Sequence, residues 1–379
     1  MSATRPAVAE AIRAFTADLY GTLARDAGGV VNLVASPYSA ATALGMTLPG
    51  AAGETAEQIA RVLHTAPDAA PLFGELGSEL IGAAESSADV TLDVANSLWA
   101  QQDLDWSQDF LTSLETGYKA AFQQVDFRDA ASAATERINS WVADQTHDKI
   151  TELFTPGMLD KQTRLVLANA AYFKAAWEHP FRDRAVDRAF TLADGRTVDV
   201  PTMSQSLRRV GLGSGAGWQA VQLDFVGGRI AMALVLPDGA LEDLENQLSG
   251  DGIGELLEPY GQVGPLNVQL PKWTFRSRHE LNDPLVELGM PLAFDHQSAD
   301  FRRMTESERL VISTVIQEAY VAVDEQGAEA AAATGVAMIR AAALTRPGEL
   351  IFDRPFLFMI FDRQTRVPIF IGRVADPRS

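Results

Sequence analysis

The chain has 379 residues, 47% of them hydrophobic and 21% charged, with no cysteine and a net charge of −19. At this length a globular core needs no covalent staple, and the missing cysteines exclude disulfides and thiolate chemistry. The negative charge argues against nucleic acid and anionic membranes as partners.

Glu10, Arg13 and Asp18 interrupt the apolar positions of the first 23 residues, so no signal-peptide core forms and a cytoplasmic location is the default expectation. Ala7, Ile12, Phe15, Leu19 and Leu23 instead mark one face of a helix. Ser36-Pro37-Tyr38-Ser39 opens a second helix running to Leu48, with Pro37 suited to its first position and Pro49-Gly50 as its stop. Helices are predicted over 54–62, 71–84, 107–116 and 132–145, the last with Ile138, Trp141 and Val142 as its stripe. A strand over 91–100 lies among them.

Strands dominate the rest. Residues 164–173 form a near-continuous apolar run, the pattern of a strand buried on both faces. Hairpins are predicted for 181–192 with 198–210, and for 218–225 with 229–236. Strands over 266–275, 310–324, 356–361 and 367–374 follow, with short helices over 241–248 and 281–288. The glycine-rich 211–217 segment reads as a loop within one domain of 1–379. Helices early and strands late, joined by many antiparallel turns, favour an α+β class.

No catalytic constellation emerges. His64, His147, His179, His279 and His296 are scattered, and none stands at metal-ligand spacing. Gly213-Ser214-Gly215 lacks the glycine that a nucleophile elbow needs before its serine, and Gly213, Gly215 and Gly217 have the wrong spacing for a dinucleotide loop. No metal or cofactor is expected, and an enzyme has no positive support.

Residues 321–338, VAVDEQGAEAAAATGVAM, are the most informative stretch. The alanines suggest a helix, but Thr334, Gly335 and Val336 weaken one longer than two turns. A tether that begins as an exposed loop and later becomes a strand fits better. Along a strand, Glu329 on one face places Ala328, Ala330, Ala332, Thr334, Val336 and Met338 on the other. That face is small at one end and apolar apart from one hydroxyl, so it could enter between two existing strands without a steric penalty.

Seven segments in order carry a family resemblance: Ser36-Pro37-Tyr38-Ser39 with 41–46; Ala95-Asn96-Ser97-Leu98-Trp99; Ile138-Asn139-Ser140-Trp141-Val142; Thr146-His147-Asp148-Lys149-Ile150; 167–174 with Trp177-Glu178-His179-Pro180-Phe181; Phe352-Asp353-Arg354-Pro355-Phe356; and Phe370-Ile371-Gly372-Arg373-Val374. The chain resembles the serpins over nearly its whole length. The lack of a signal, of disulfides and of long insertions resembles a prokaryotic, monomeric member.

The resemblance implies a serpin fold of three β-sheets and about nine helices, with an exposed reactive-centre loop at about 326–346. It also implies suicide inhibition of serine proteases. The protease attacks the loop and forms an acyl-enzyme, the cleaved loop enters the large sheet as a new strand, and deacylation stalls. Glu325, Gly327, Ala328, Glu329, Ala330, Ala331, Ala332, Ala333 and Thr334 match the hinge, where inhibitory members carry small residues. Non-inhibitory members, acting as binding or chaperone modules, often have proline or charge there. At about 1 kcal/mol net per hydrogen bond, a strand of this length supplies on the order of 10 kcal/mol.

Family spacing from Gly327 implies cleavage between Ala341 and Ala342, suiting elastase-, subtilisin- or chymotrypsin-like proteases. Arg340 is the alternative and would admit a trypsin-like target; Met338 and Leu344 are weaker candidates. Ser36, Ser39 and Asn169 match the polar cluster beneath the parting strands, with Gln317 where the family commonly has histidine. Gln317 does not titrate in this range. Trp177, Lys272 and Glu325 match the cluster at the top of the sheet, with an ion pair expected between Lys272 and Glu325. No heparin-like activator is expected, because 71–84 has no lysine or arginine.

Overall fold

The computed structural model describes residues 4–86, 89–118, 121–181, 184–328 and 348–378. Helix α1 (Arg5–Ala27) buries Val8, Ile12, Phe15, Leu19 and Leu23. Ala7, expected on that face, is exposed. Five residues back from Ile12 is the far side of a helix with about 3.6 residues per turn.

Strand β1 (Leu33–Ala35) leads into α2 (Pro37–Gly45), whose cap is the Ser36 hydroxyl. The helix stops short of Leu48 because the Thr47 amide and hydroxyl both turn onto Leu44 O, at 2.9 and 2.7 Å, tightening the last turn. Then come α3 (Gly53–Val62), α4 (Ala70–Glu85), β2 (Val90–Gln101), α5 (Gln108–Tyr118), β3 (Ala121–Val125) and α6 (Phe127–Gln145). Asp126 caps α6, earlier than expected, and a non-helical Ala130 breaks the apolar period, which is why the sequence pattern is clear only from 132 onward.

The strand-rich part follows with β4 (Leu165–Ala176), β5 (Val186–Thr191), β6 (Thr197–Leu207), β7 (Val210–Gly215), β8 (Trp218–Asp224) and β9 (Ile230–Pro237). Helices α7 (Leu241–Glu245) and α8 (Gly250–Leu256) precede β10 (Gln262–Val263), β11 (Leu266–Pro271), β12 (Trp273–Glu280) and α9 (Asn282–Leu288). The chain closes with β13 (Ile312–Val323), β14 (Gly327–Ala328), β15 (Gly348–Ile351), β16 (Phe356–Asp362) and β17 (Val367–Val374).

Among the described residues there are nine α-helices and three sheets, the architecture the resemblance implied. The seven-stranded sheet has the order β1-β17-β16-β9-β8-β7-β10, the four-stranded sheet β15-β11-β6-β5, and the six-stranded sheet β12-β13-β14-β4-β2-β3. The run 266–275, expected as one strand, is two strands in different sheets, divided at Lys272. The 211–217 loop is mostly strand β7: a side chain at Gly213 or Gly215 would collide with the ring of Tyr260 or Trp218, so glycine lets those rings lie on the strand. No described helix is long and apolar enough to cross a membrane.

The six-stranded sheet has a core on each face. Leu167, Ala171, Phe173, Val315, Ala319 and Val321 point into the main core. Ala168, Ala170 and Ile316 point the other way, against Ile138 and Val142 of α6.

Candidate functional site

Strands β4 and β13 run parallel and pair directly from Ile312 with Leu165 up to Tyr320 with Tyr172. Above that rung they part, and a third strand begins between them. Strand β14 sets Gly327 opposite Ala176, and Ala328 opposite both Ala175 and Val323. The sheet is closed below and open above, and the start of the segment expected as exposed loop is already inside it.

Residue size dictates what fits in that gap. Ala328 is wholly buried and faces the main core. A Cβ at Gly327 would collide with the backbone oxygen of Ala175, so glycine is needed for the strands to approach this closely. Glu329, Ala330, Ala331, Ala332, Ala333, Thr334, Arg340, Ala341 and Ala342 lie outside the described residues.

The turn before the hinge is fixed from several sides. Asp324 Oδ1 accepts from Gln326 N at 2.8 Å and Gly327 N at 3.3 Å, and Asp324 N donates to Gly327 O at 2.9 Å. Trp177 donates from Nε1 to Asp324 O at 3.0 Å and from its backbone N to Gln326 O at 2.8 Å. Its indole stacks on Phe225 at 4.5 Å. The expected ion pair is present, with Lys272 Nζ 2.7 Å from Glu325 Oε2. Burial acts to raise the Glu325 carboxyl, but the Lys272 ammonium and nearby backbone donors outweigh it and hold the group below the usual range. With both side chains partly exposed, the pair contributes at most about 1 kcal/mol.

Deeper in the seam is a buried polar row on the main-core face. Register aligns Asn96 of β2 with Asn169 of β4, Asn169 with Gln317 of β13, and Gln317 with His279 of β12. Gln317 Nε2 donates to Asn169 Oδ1 at 2.7 Å and to Ser36 O at 2.9 Å, while its oxygen accepts from Ser36 N at 2.9 Å. Asn169 Nδ2 donates to Ser39 Oγ at 2.6 Å and to Asn96 Oδ1. Ser36 Oγ donates to Ile369 O at 2.7 Å, tying the row to β17. Ser36, Ser39, Asn169 and Gln317 are wholly buried, so each bond replaces one that water would have made.

All of Ser36, Ser39, Asn169 and Gln317 thus meet at one place, and Trp177, Lys272 and Glu325 meet at another. The sequence reading missed Asn96 and Asp324. Asn96 stood in a quoted motif, but only strand register reveals its partner. Asp324, two residues before an amide it caps, carries the signal of an Asx turn. His279, dismissed as one of five scattered histidines, ends the row. Its Nε2 lies 2.9 Å from Val34 O, and burial lowers its proton affinity despite that carbonyl.

Comparison with known proteins matches residues 10–377 to the family model described as serpin (serine protease inhibitor). The chain is 33% identical to an uncharacterized serpin-like protein of Methanosarcina acetivorans, over 98% of this chain and 86% of that one. It is 34% identical to leukocyte elastase inhibitor of Bos taurus, over 96% and 97%. Its structure resembles that of tengpin, a thermophilic serpin, in the native state, with a TM-score of 0.87, 25% identity and coverage of 97% and 94%.

Proposed function

The chain belongs to the serpin family, and we propose that it is an irreversible suicide inhibitor of serine proteases. The observation that carries this reading is β14. Its small, fully buried Ala328 follows Gly327 in a short strand lodged between β4 and β13, which pair with each other directly below it. A strand so begun has a path to continue.

In the proposed reaction the protease serine attacks the carbonyl carbon of Ala341. The bond to Ala342 nitrogen breaks, the new amine takes a proton, and Ala341 remains as an ester on the serine. The freed segment from Ala328 onward then lengthens β14 by displacing the direct pairing of β4 with β13. The tethered protease is dragged along and distorted before water can cleave the ester. The polar row of Ser36, Ser39, Asn169 and Gln317 and the cluster of Trp177, Lys272 and Glu325 hold the two halves of the sheet until then.

Alanine at the cleavage site favours elastase- or subtilisin-like proteases, with chymotrypsin-like enzymes next, and the similarity to a leukocyte elastase inhibitor supports that choice. Cleavage after Arg340 is the alternative and would bring a trypsin-like target. The inhibitor acts as a monomer without a cofactor. Helix α4 contains no lysine or arginine, and its Glu75 and Glu79 pair with Arg5 at 3.1 and 3.6 Å, so it offers an anionic polymer no cation of its own. Incubation with elastase-, subtilisin- and trypsin-like proteases tests the reading. A complex that survives detergent, and a released peptide beginning at Ala342, are expected. Complete turnover by every protease without a covalent complex would overturn it.

A further inference from the structure

The other face of the seam carries a second register line. Asp93 of β2 is aligned with Tyr172 of β4, and Tyr172 with Tyr320 of β13. Tyr172 with Tyr320 is the last closed rung, the first that an advancing β14 must separate. Their rings meet across it at 6.2 Å.

The turn after α6 sits on this rung. His147 lies edge-on to the Tyr172 ring at 5.9 Å, with Nε2 3.0 Å from Asp93 Oδ2. Two residues on, Lys149 Nζ stands 5.7 Å over the Tyr320 ring. One short turn therefore touches both strands that must part, and reaches the strand beyond. His147 and Asp148 hold φ of 50° and 60°, the left-handed region that non-glycine residues avoid. Thr146 imposes the shape: its hydroxyl donates to Val142 O at 2.8 Å and accepts from Ile150 N at 3.2 Å.

We propose that His147 and Lys149 form a latch across the seam that sets the rate at which β14 lengthens, and so whether a protease is trapped or released. Resting on the suicide-inhibitor reading, the latch adds a point of control to it that is distinct from the buried polar row. A cation over one ring and an imidazole against the other favour the closed rung, because separating the tyrosines breaks both contacts at once. The latch acts on the step after acylation. It therefore changes the partition between inhibition and turnover, not the rate at which the protease first attacks the loop. His147 and Lys149 are positioning residues in this sense, touching no reacting atom.

The test uses His147→Ala and Lys149→Ala, singly and together, with Lys149→Arg as the conservative variant. The His147 side chain is 63% exposed, so its removal leaves the core intact. The readouts are the uptake rate of a synthetic peptide with the sequence of residues 328–341, the stoichiometry of inhibition, and the second-order rate of attack by an elastase-like protease. The double variant is expected to take up peptide about fivefold faster, matching the loss of two weak aromatic contacts. Its stoichiometry moves closer to equimolar, its rate of attack is unchanged, and Lys149→Arg behaves like the parent. A parent that traps protease while every variant takes up peptide at the parental rate would overturn the latch alone. A parent that neither takes up peptide nor traps protease overturns the inhibitor reading, and the latch with it.

Discussion

Gln317 Nε2 donates to Asn169 Oδ1 at 2.7 Å across the closed part of the seam, directly joining the two strands that the proposed mechanism must separate. The same Gln317 side chain both donates to and accepts from the backbone of Ser36. One neutral amide thus fastens β13 to its neighbour in the sheet and to the helix cap beneath.

Removing that amide leaves Ser36 N and Asn169 Oδ1 without a partner where water does not reach, while Ser36 O keeps its bond from Ala40 N at 3.0 Å. Gln317→Ala is expected to cost about 3 kcal/mol in stability, since each unmet buried group carries its full desolvation penalty. Denaturant unfolding measures it. A loss below about 0.5 kcal/mol would mean that the row relaxes and finds other partners.

The ladders that hold Ala328, continued one residue per rung, bring Thr334 level with Asn169 and Gln317. The single hydroxyl on the inward face of the tether would then meet the two side chains whose bond its arrival breaks. Thr334→Val is expected to lower the melting temperature of loop-cleaved protein and leave intact protein unchanged. An equal change in both forms would place Thr334 elsewhere.

His279 supplies a pH dependence that Gln317 cannot. Its folded-state pKa is depressed by burial, so the unfolded chain takes up the proton first as pH falls below about 6.5. Stability from this group is complete above that value and is lost as pH falls through the folded pKa. His279→Gln keeps a donor for Val34 O and removes the titration. Thermal melts from about pH 7 to about pH 5 should drop for the parent and less for the variant, and parallel curves would exclude His279 as the source.

Ala328 has no room for a longer side chain, and a charge there would be buried without a partner. Ala328→Arg is expected to turn inhibitor into substrate, with cleavage unimpaired and covalent complex lost. Ala330→Pro should do the same by removing a donor from the lengthening strand. Gel analysis of protease digests separates the outcomes, and undiminished complex with either variant would contradict the proposed path.

Much of this arrangement was legible in the sequence. The continuous apolar run of β4, the helix opened by Pro37, and the small Ala328 that fits the gap between strands follow from side-chain period and size. What was not legible depends on partners distant in the chain. A run such as 266–275 has the same apolar pattern whether it serves one sheet or two, and only the hydrogen bond from Lys272 N to Pro201 O at 2.9 Å marks where it changes allegiance. The glycines of β7 look like a loop until Tyr260 and Trp218 are seen lying on them. Asn96, His279 and the two tyrosines of the last closed rung gain meaning only from register, which no local pattern encodes.

Scanning calorimetry of intact and loop-cleaved protein, side by side under the same conditions, weighs the stored strand energy most directly. Insertion adds ladder hydrogen bonds and buried surface, so the cleaved form is expected to melt at a clearly higher temperature than the intact one. A cleaved form that melts at the same temperature or lower would contradict it.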